Sequence, residues 1–170
     1  CTPCEAGSYQ AAPGATACEP CTPGHHCAEG AAAALPCAEG TYSGATDLAS
    51  AAQCTETDPG FYATTGSTVQ TQCSPGTYTD VPKQATCTPC EAGTYQDEAG
   101  ATTACKPCKP GHHCSEGAAA ALPCEEGTYS DASDLTSAAE CTDAHPGFYA
   151  TTGSTTQTQC SPGTYTDQSK

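Results

Sequence analysis

Sixteen cysteines stand in this chain as two copies of one eight-cysteine pattern, and no other feature restricts its fold so tightly. Copy one has Cys1, Cys4, Cys18, Cys21, Cys27, Cys37, Cys54 and Cys73; copy two has Cys87, Cys90, Cys105, Cys108, Cys114, Cys124, Cys141 and Cys160. The offset is 86 residues for the first two cysteines and 87 for the rest, because one residue has entered between Cys90 and Cys105. From Cys18 to Lys83 and from Cys105 to Lys170 the copies have equal length, with 52 of 66 positions identical. Self-similarity of this kind marks an array of one supersecondary unit, so the stretch is expected to be part of a rod. The expected domains are copy 1 at 1–86, with sub-modules at about 1–18, 18–37, 37–54, 54–73 and 73–87, and copy 2 at 87–170. Lys170 matches Lys83, four residues before the next expected cysteine, so copy 2 reads as truncated before its last partner.

Composition rules out a conventional interior. Four Leu, two Val, two Phe and eight Tyr, with no Ile, Met or Trp, remove too little apolar surface from water to offset chain entropy. Cross-links are expected to take over, since closing a loop of about 15 residues stabilises by roughly 3 kcal/mol in the chain-entropy treatment. The expected fold class is therefore small disulfide-rich repeats: an elongated rod with short β-ribbons and turns, little helix and no large hydrophobic core. Pro and Gly, 31 residues together, punctuate the chain throughout. Helical turns are expected at Ala31 to Leu35 and at Asp47 to Gln53 (Asp134 to Glu140 in copy two), with Asp47 as a cap. Persistent disulfides place the chain in an oxidising compartment, secreted or on the cell surface.

A net charge of −15, with four lysines and no arginine, excludes nucleic acid as a partner. The acids are scattered singly with no calcium-loop spacing, which favours a solubilising role over calcium binding. No signal peptide and no apolar run long enough to span a bilayer occurs, so the export signal is expected outside this stretch.

Two kinds of segment alternate. One runs from a cysteine through Gly-Thr/Ser-Tyr to the next cysteine, as from Cys4 to Cys18, Cys37 to Cys54 and Cys73 to Cys87. The other is C-x-x-C-x-P-G-H-H-C, from Cys18 to Cys27 and Cys105 to Cys114. A degenerate form of the second begins at Cys54, with Thr57 in place of Cys21 and Ala63 in place of Cys27; Ala144 and Ala150 repeat the double loss. Disulfide partners are expected to vanish together, which pairs Cys21 with Cys27 and Cys108 with Cys114. Each Gly-Thr-Tyr loop then closes on itself: Cys4–Cys18, Cys37–Cys54, Cys73–Cys87, Cys90–Cys105 and Cys124–Cys141. Cys1 and Cys160 are left for partners outside the stretch. The cysteine count alone does not choose this connectivity; the joint losses and the repeat register favour it. The missing pair is expected to leave a looser joint.

The run P-G-x-x-C-x-x-G-x-x-x-x-x-P-C-x-x-G-T-Y-S-x-x-x-x-L-x-S-A-x-x-C is similar to the ephrin-receptor-like cysteine-rich repeats of large extracellular proteins. The self-closed C-x-x-G-T-Y…C loop also resembles the first module of tumour necrosis factor receptor cysteine-rich domains. The resemblance implies an elongated, disulfide-laddered extracellular module and no single function.

Catalytic chemistry has no visible seat: no cysteine is free within a complete repeat, and no G-x-S-x-G motif occurs. The chain is therefore read as no enzyme, with no cofactor. His25 and His26 beside Cys27 loosely match zinc-ligand spacing, yet Phe61-Tyr62 fill the same place in the degenerate segment, so a flat ring is the simpler requirement. There is no Asn, hence no N-glycosylation sequon. Of 40 Ser and Thr, the densest run is Thr64, Thr65, Ser67 and Thr68 with its twin Thr151, Thr152, Ser154 and Thr155, the candidate O-glycosylation sites. Near-identity of the copies favours a structural repeat segment of a long secreted fibril, appendage shaft or cell-surface coat, with further copies of itself and O-linked glycans as partners. The alternative is the stalk of an extracellular receptor or adhesin whose binding domain lies outside the stretch.

Overall fold

One backbone design recurs along the chain, whatever kind of segment the sequence suggests. In the computed structural model, which describes residues 1–167, a glycine in the left-handed region opens each turn and a two-residue strand follows it. Successive opening glycines lie 16 to 20 residues apart. Each short strand pairs antiparallel with a second one before the next glycine: Ser8–Tyr9 with Glu19–Pro20, His25–His26 with Leu35–Pro36, Thr41–Tyr42 with Thr55–Glu56, and Phe61–Tyr62 with Thr71–Gln72. The same pairing continues through Thr77–Tyr78 with Thr88–Pro89, Thr94–Tyr95 with Lys106–Pro107, His112–His113 with Leu122–Pro123, Thr128–Tyr129 with Thr142–Asp143, and Phe148–Tyr149 with Thr158–Gln159. The His-His, Phe-Tyr and Thr-Tyr pairs are thus structural equivalents.

A two-residue hairpin is not stable alone in water. What holds these, within each of two compact units, is a ladder of backbone hydrogen bonds from each turn to the next. The first unit comprises Cys1–Cys73 and Thr79–Cys87, the second Ser74–Tyr78 and Thr88–Lys170. In the first, the opening glycine donates to the residue that follows the next turn's first strand: Gly7 N–H to Cys27 O, Gly24 to Ser43, Gly40 to Ala63 and Gly60 to Thr79, all at 2.8–2.9 Å. A second rung runs backwards, from Gly30 N–H to Cys4 O, Asp47 to Cys21, Gly66 to Cys37 and Lys83 to Thr57, at 2.8–3.0 Å. The second unit repeats both rungs, for example Gly93 to Cys114 O and Asp134 to Cys108 O. Satisfying buried main-chain groups between turns supplies the order that a hydrocarbon core supplies elsewhere.

The close approach explains the glycine. A Cβ on Gly7, where φ is +91°, would lie 2.5 Å from the Asp47 carbonyl oxygen, and one on Gly93 would lie 2.6 Å from that of Asp134. The donors of the backward rung also take positive φ, and three are not glycine: Asp47, Lys83 and Asp134 at 60° to 64°. Aspartate tolerates this region better than most residues, and each such placement costs roughly 1–2 kcal/mol, which the rung offsets.

Seven disulfides cross-link the turns: Cys4–Cys18, Cys21–Cys27, Cys37–Cys54, Cys73–Cys87, Cys90–Cys105, Cys108–Cys114 and Cys124–Cys141, with Cα–Cα distances of 5.7–6.0 Å. The buried hydrophobic residues are mostly half-cystines and alanines, joined by Leu48 and Leu135. The fold is a small disulfide-rich chain of β-ribbons without a large core.

Two local expectations are corrected. Ala31 to Leu35 forms no helical turn: Ala31 makes a parallel bridge with Tyr9, and Leu35 belongs to a strand. A helix of five residues does not recover its nucleation cost, whereas the inter-turn bridge is already positioned. Within 47–53 the helical piece is the 3-10 turn Ala51–Gln53, with its twin Ala138–Glu140. Asp47 does not cap it; Ser50 holds the N-cap position, and Gln53 Oε1 accepts from the N–H groups of Ala49 and Ser50.

Candidate functional site

The segment with no disulfide departs most from the rest of the repeat, and it also carries the hydroxyl-rich run. Thr57 and Ala63, which stand where cysteines stand in the sister turn, are 1% exposed each. Thr57 donates its N–H to Gly40 O, Ala63 to Gln84 O, and Thr57 Oγ1 accepts from Gln84 N–H. The backbone ladder therefore passes through the segment unbroken.

A glutamine clasps the bare turn at another place. Gln70 precedes the strand Thr71–Gln72, as Cys18 and Cys54 precede theirs. Its Oε1 accepts from Asp58 N–H at 2.9 Å, and its Nε2 donates to Asp58 Oδ2 at 2.9 Å. In copy two, Gln157 Oε1 accepts from His145 N–H at 2.8 Å, and the amide also meets the His145 ring nitrogen. Sequence reasoning passed over both glutamines, although their occurrence in both bare turns, where the sister turns have Ala34 and Ala121, was the available signal. Another glutamine goes further inside: Gln96, 1% exposed, sits where Cys27 and Cys114 sit and bridges Glu98 N–H and Thr103 O.

The candidate acceptors crown this turn. Thr64, Thr65 and Thr68 are exposed and Ser67 is half-buried; Thr151, Thr152, Thr155 and Ser154 repeat the arrangement. Ser67 N–H donates to Thr64 O, and Gly66 takes a positive φ, so the run is a tight turn with outward hydroxyls. The Thr64 and Ser67 hydroxyls meet at 3.3 Å, those of Thr151 and Ser154 at 3.0 Å. Thr65 and Thr68 lead the exposed set with Thr64.

His25 and His26 lie in one strand and point apart by the alternation of a β-strand. His25 Nδ1 is 3.1 Å from Pro23 O, and His112 Nδ1 repeats this with Pro110 O. The neighbouring cysteines Cys21 and Cys27 are bonded to each other and hence are not ligands. Among the described residues no group of three or more His, Cys, Asp or Glu is placed to hold a metal ion.

Charge–charge contacts are few and exposed. Lys106 Nζ lies 2.6 Å from Asp97 Oδ1, which holds the Asp97 carboxyl below its ordinary range and raises the Lys106 ammonium. The Thr136 side chain, which donates to the Glu140 carboxylate, holds that carboxyl down likewise. Cys1 is exposed and Cys160 half-buried, and neither is bonded to another cysteine among the described residues. No described helix is long and apolar enough to cross a membrane.

Residues 76–121 match the family described as tyrosine-protein kinase ephrin type A/B receptor-like. The match and the seven disulfides support an ephrin-receptor-like cysteine-rich repeat over these residues; that family is one of receptor-type, non-catalytic domains. No curated protein matches the chain. The repeat and the seven disulfides are consistent with an extracellular or cell-surface location.

Proposed function

We propose that this chain is a structural repeat segment of a long secreted fibril, appendage shaft or cell-surface coat, organised as the two copies 1–86 and 87–170. The observation that carries the reading is the side-chain-independent ladder. In each unit the same rungs recur whether the turn holds a disulfide, a glutamine clasp or a tyrosine. Such a device extends serially without limit, and it gives every unit the same task. The differences between residues 18–83 and 105–170 fall almost wholly on exposed positions, with Thr57 and Ala144 the buried exception among those described. Copies of the same chain are then the natural partners. The exposed turn hydroxyls of Thr64, Thr65 and Thr68, with Ser67 and the four equivalents in copy two, are the proposed sites of O-linked sugar; an intact mass equal to the bare polypeptide would remove that part.

The family match favours a second reading, the stalk of an extracellular receptor or adhesin. Negative-stain images of the native material separate the two. Fibres or an ordered coat support the structural reading, and isolated stalks ending in a distinct head overturn it.

A further inference from the structure

The bare turn sets its hydroxyls against one particular neighbour, the stapled turn two places earlier. There His25 stands opposite Pro36 across the two-residue ribbon, so imidazole and pyrrolidine lie side by side on one face. Among the described ribbons only this pair and its twin, His112 with Pro123, set two rings opposite each other. Pro36 is exposed and His25 half-buried, so the pair reaches solvent. A Cβ on Gly66 would stand 3.6 Å from Pro36 Cβ and 4.0 Å from His25 Cε1. One on Gly153 would stand 3.5 Å from Pro123 Cβ, 3.6 Å from His112 Cε1 and 4.0 Å from His112 Nε2. The backbone between Thr65 and Ser67 therefore meets the two rings with no side chain of its own in the way.

The two rings offer apolar faces and one acceptor. His25 Nδ1 donates to Pro23 O at 3.1 Å, as His112 Nδ1 does to Pro110 O, which leaves Nε2 of the neutral ring as an acceptor. On the facing turn the Thr64 and Ser67 hydroxyls hold each other at 3.3 Å, whereas those of Thr65 and Thr68 have no hydrogen-bond partner among the described residues. Thr65 is next to Gly66. Thr68 lies at the other edge, where its carbonyl oxygen is 3.4 Å from a Cβ on Gly44, a position taken by Asp131 in copy two. None of the differences between the copies falls within 23–27, 29–37 or 59–68, although the exposed positions Glu19, Thr22, Ala38 and Val69 on either side all change. The Thr65 edge, not the Thr68 edge, is thus the same in both copies.

We infer that Thr65 and Thr152 carry the O-linked sugar, and that its ring lies over His25 and Pro36, or over His112 and Pro123 in copy two, with a sugar hydroxyl donating to the imidazole Nε2. A neutral hexose or pentose fits: one face of its ring is a patch of C–H bonds that packs on flat apolar rings, and its edge is hydroxyls. The transfer forms a bond between Thr65 Oγ1 and the anomeric carbon of a nucleotide-activated sugar. The bond from that carbon to phosphate breaks, the nucleotide leaves with the electron pair, and the hydroxyl proton passes to a base of the transferase. Seated in this way, the sugar clamps the bare turn to the stapled turn across the one between them. The inference rests on the sugar proposed above for this segment and names its acceptor and its seat.

The test uses the native protein and a Thr65→Val, Thr152→Val variant secreted from the same cells. Those two hydroxyls hold nothing in the chain, so the substitutions should leave the turn intact. Glycopeptide sequencing should place a hexose or pentose increment on Thr65 and Thr152 and lose it in the variant. Labelling of imidazole nitrogens by diethyl pyrocarbonate should run about fivefold slower at His25 and His112 in the native protein than in the variant, because only the uncovered fraction reacts. His145, which faces Gln157, should label equally in both. In nuclear magnetic resonance spectra the sugar ring protons should be displaced upfield by the imidazole, a displacement that His25→Ala with His112→Ala removes while the sugar stays. Sugar on other hydroxyls with Thr65 bare, or equal labelling of His25 in native protein and variant, would overturn the inference and leave glycosylation of the segment standing. A bare polypeptide would overturn both, and fibres of that bare material would still support the structural reading.

Discussion

The turn stapled by Cys21–Cys27 and the bare turn built on Thr57 and Ala63 have the same main-chain bonds. In the first, Cys21 N–H donates to Gly7 O, Cys27 to Leu48 O and Gly30 to Cys4 O, at 2.8 Å each. In the second, Thr57 donates to Gly40 O, Ala63 to Gln84 O and Gly66 to Cys37 O, at 2.9–3.0 Å. All four side chains at the swapped positions are fully buried. The disulfide therefore does not set the geometry of a turn. The ladder sets it, and the disulfide removes competing unfolded conformations. The bare turn also has Gln70 and Asp58, which close a wider loop through two hydrogen bonds.

The largest effect expected is from removing every staple at once. Reduction of the seven disulfides should unfold the chain, since backbone rungs among small side chains cannot offset the restored chain entropy. Loss of far-UV and thermal cooperativity on reduction checks this; a retained cooperative transition would show that the ladder suffices alone.

Exchanging the two turns is the sharper experiment. Cys21→Thr with Cys27→Ala should keep the fold and cost about 2 kcal/mol, the chain-entropy value for a loop this short. Thr57→Cys with Ala63→Cys should form a bond and gain a similar amount. Denaturant midpoints measure both, and a Cys21→Thr/Cys27→Ala variant that unfolds would mean that the turns are not equivalent. Gln70→Ala should cost about 1 kcal/mol by leaving the Asp58 main chain unpaired, and Gln157→Ala a similar amount in copy two.

The smallest effect separates the copies. Glu140 stands where copy one has Gln53, and its folded-state carboxyl is held below the ordinary 4.5 by the Thr136 side chain. A depressed carboxyl contributes stability above its unfolded pKa and loses it as pH falls through the folded value. Glu140→Gln should therefore leave stability at neutral pH nearly unchanged and flatten the decline below pH 4.5. An unchanged acid limb in a pH series of midpoints would contradict the assignment.

The fold class was legible because it rests on counts: cysteine in excess, aliphatics scarce, and Gly-Thr-Tyr repeated at loop openings. The equivalence of the two kinds of segment was not, because side chains that share a strand position, Ser8, His25, Thr41 and Phe61, share little chemistry. The left-handed residues hid for a similar reason. Gly30 and Gly66 announce that backbone, but Asp47 and Lys83 occupy it too, and Asp47 reads from sequence as a helix cap. Gln70 was overlooked because a hydrogen-bonded amide leaves no spacing signature of the kind a cysteine pair leaves. The exposed hydroxyls at Thr64 and Thr65 were readable as a dense run, while the tight turn that presents them follows from Gly66 and the rung to Cys37.

Native-state hydrogen exchange, read amide by amide, is the most direct test of the ladder. Ala63 and Gly66 in the bare turn should be protected as strongly as Cys27 and Gly30 in the stapled one, to within about tenfold, given their matching bonds. Exchange across residues 57–72 at the rate of a free peptide, with 21–37 still protected, would show instead that the disulfide makes the turn.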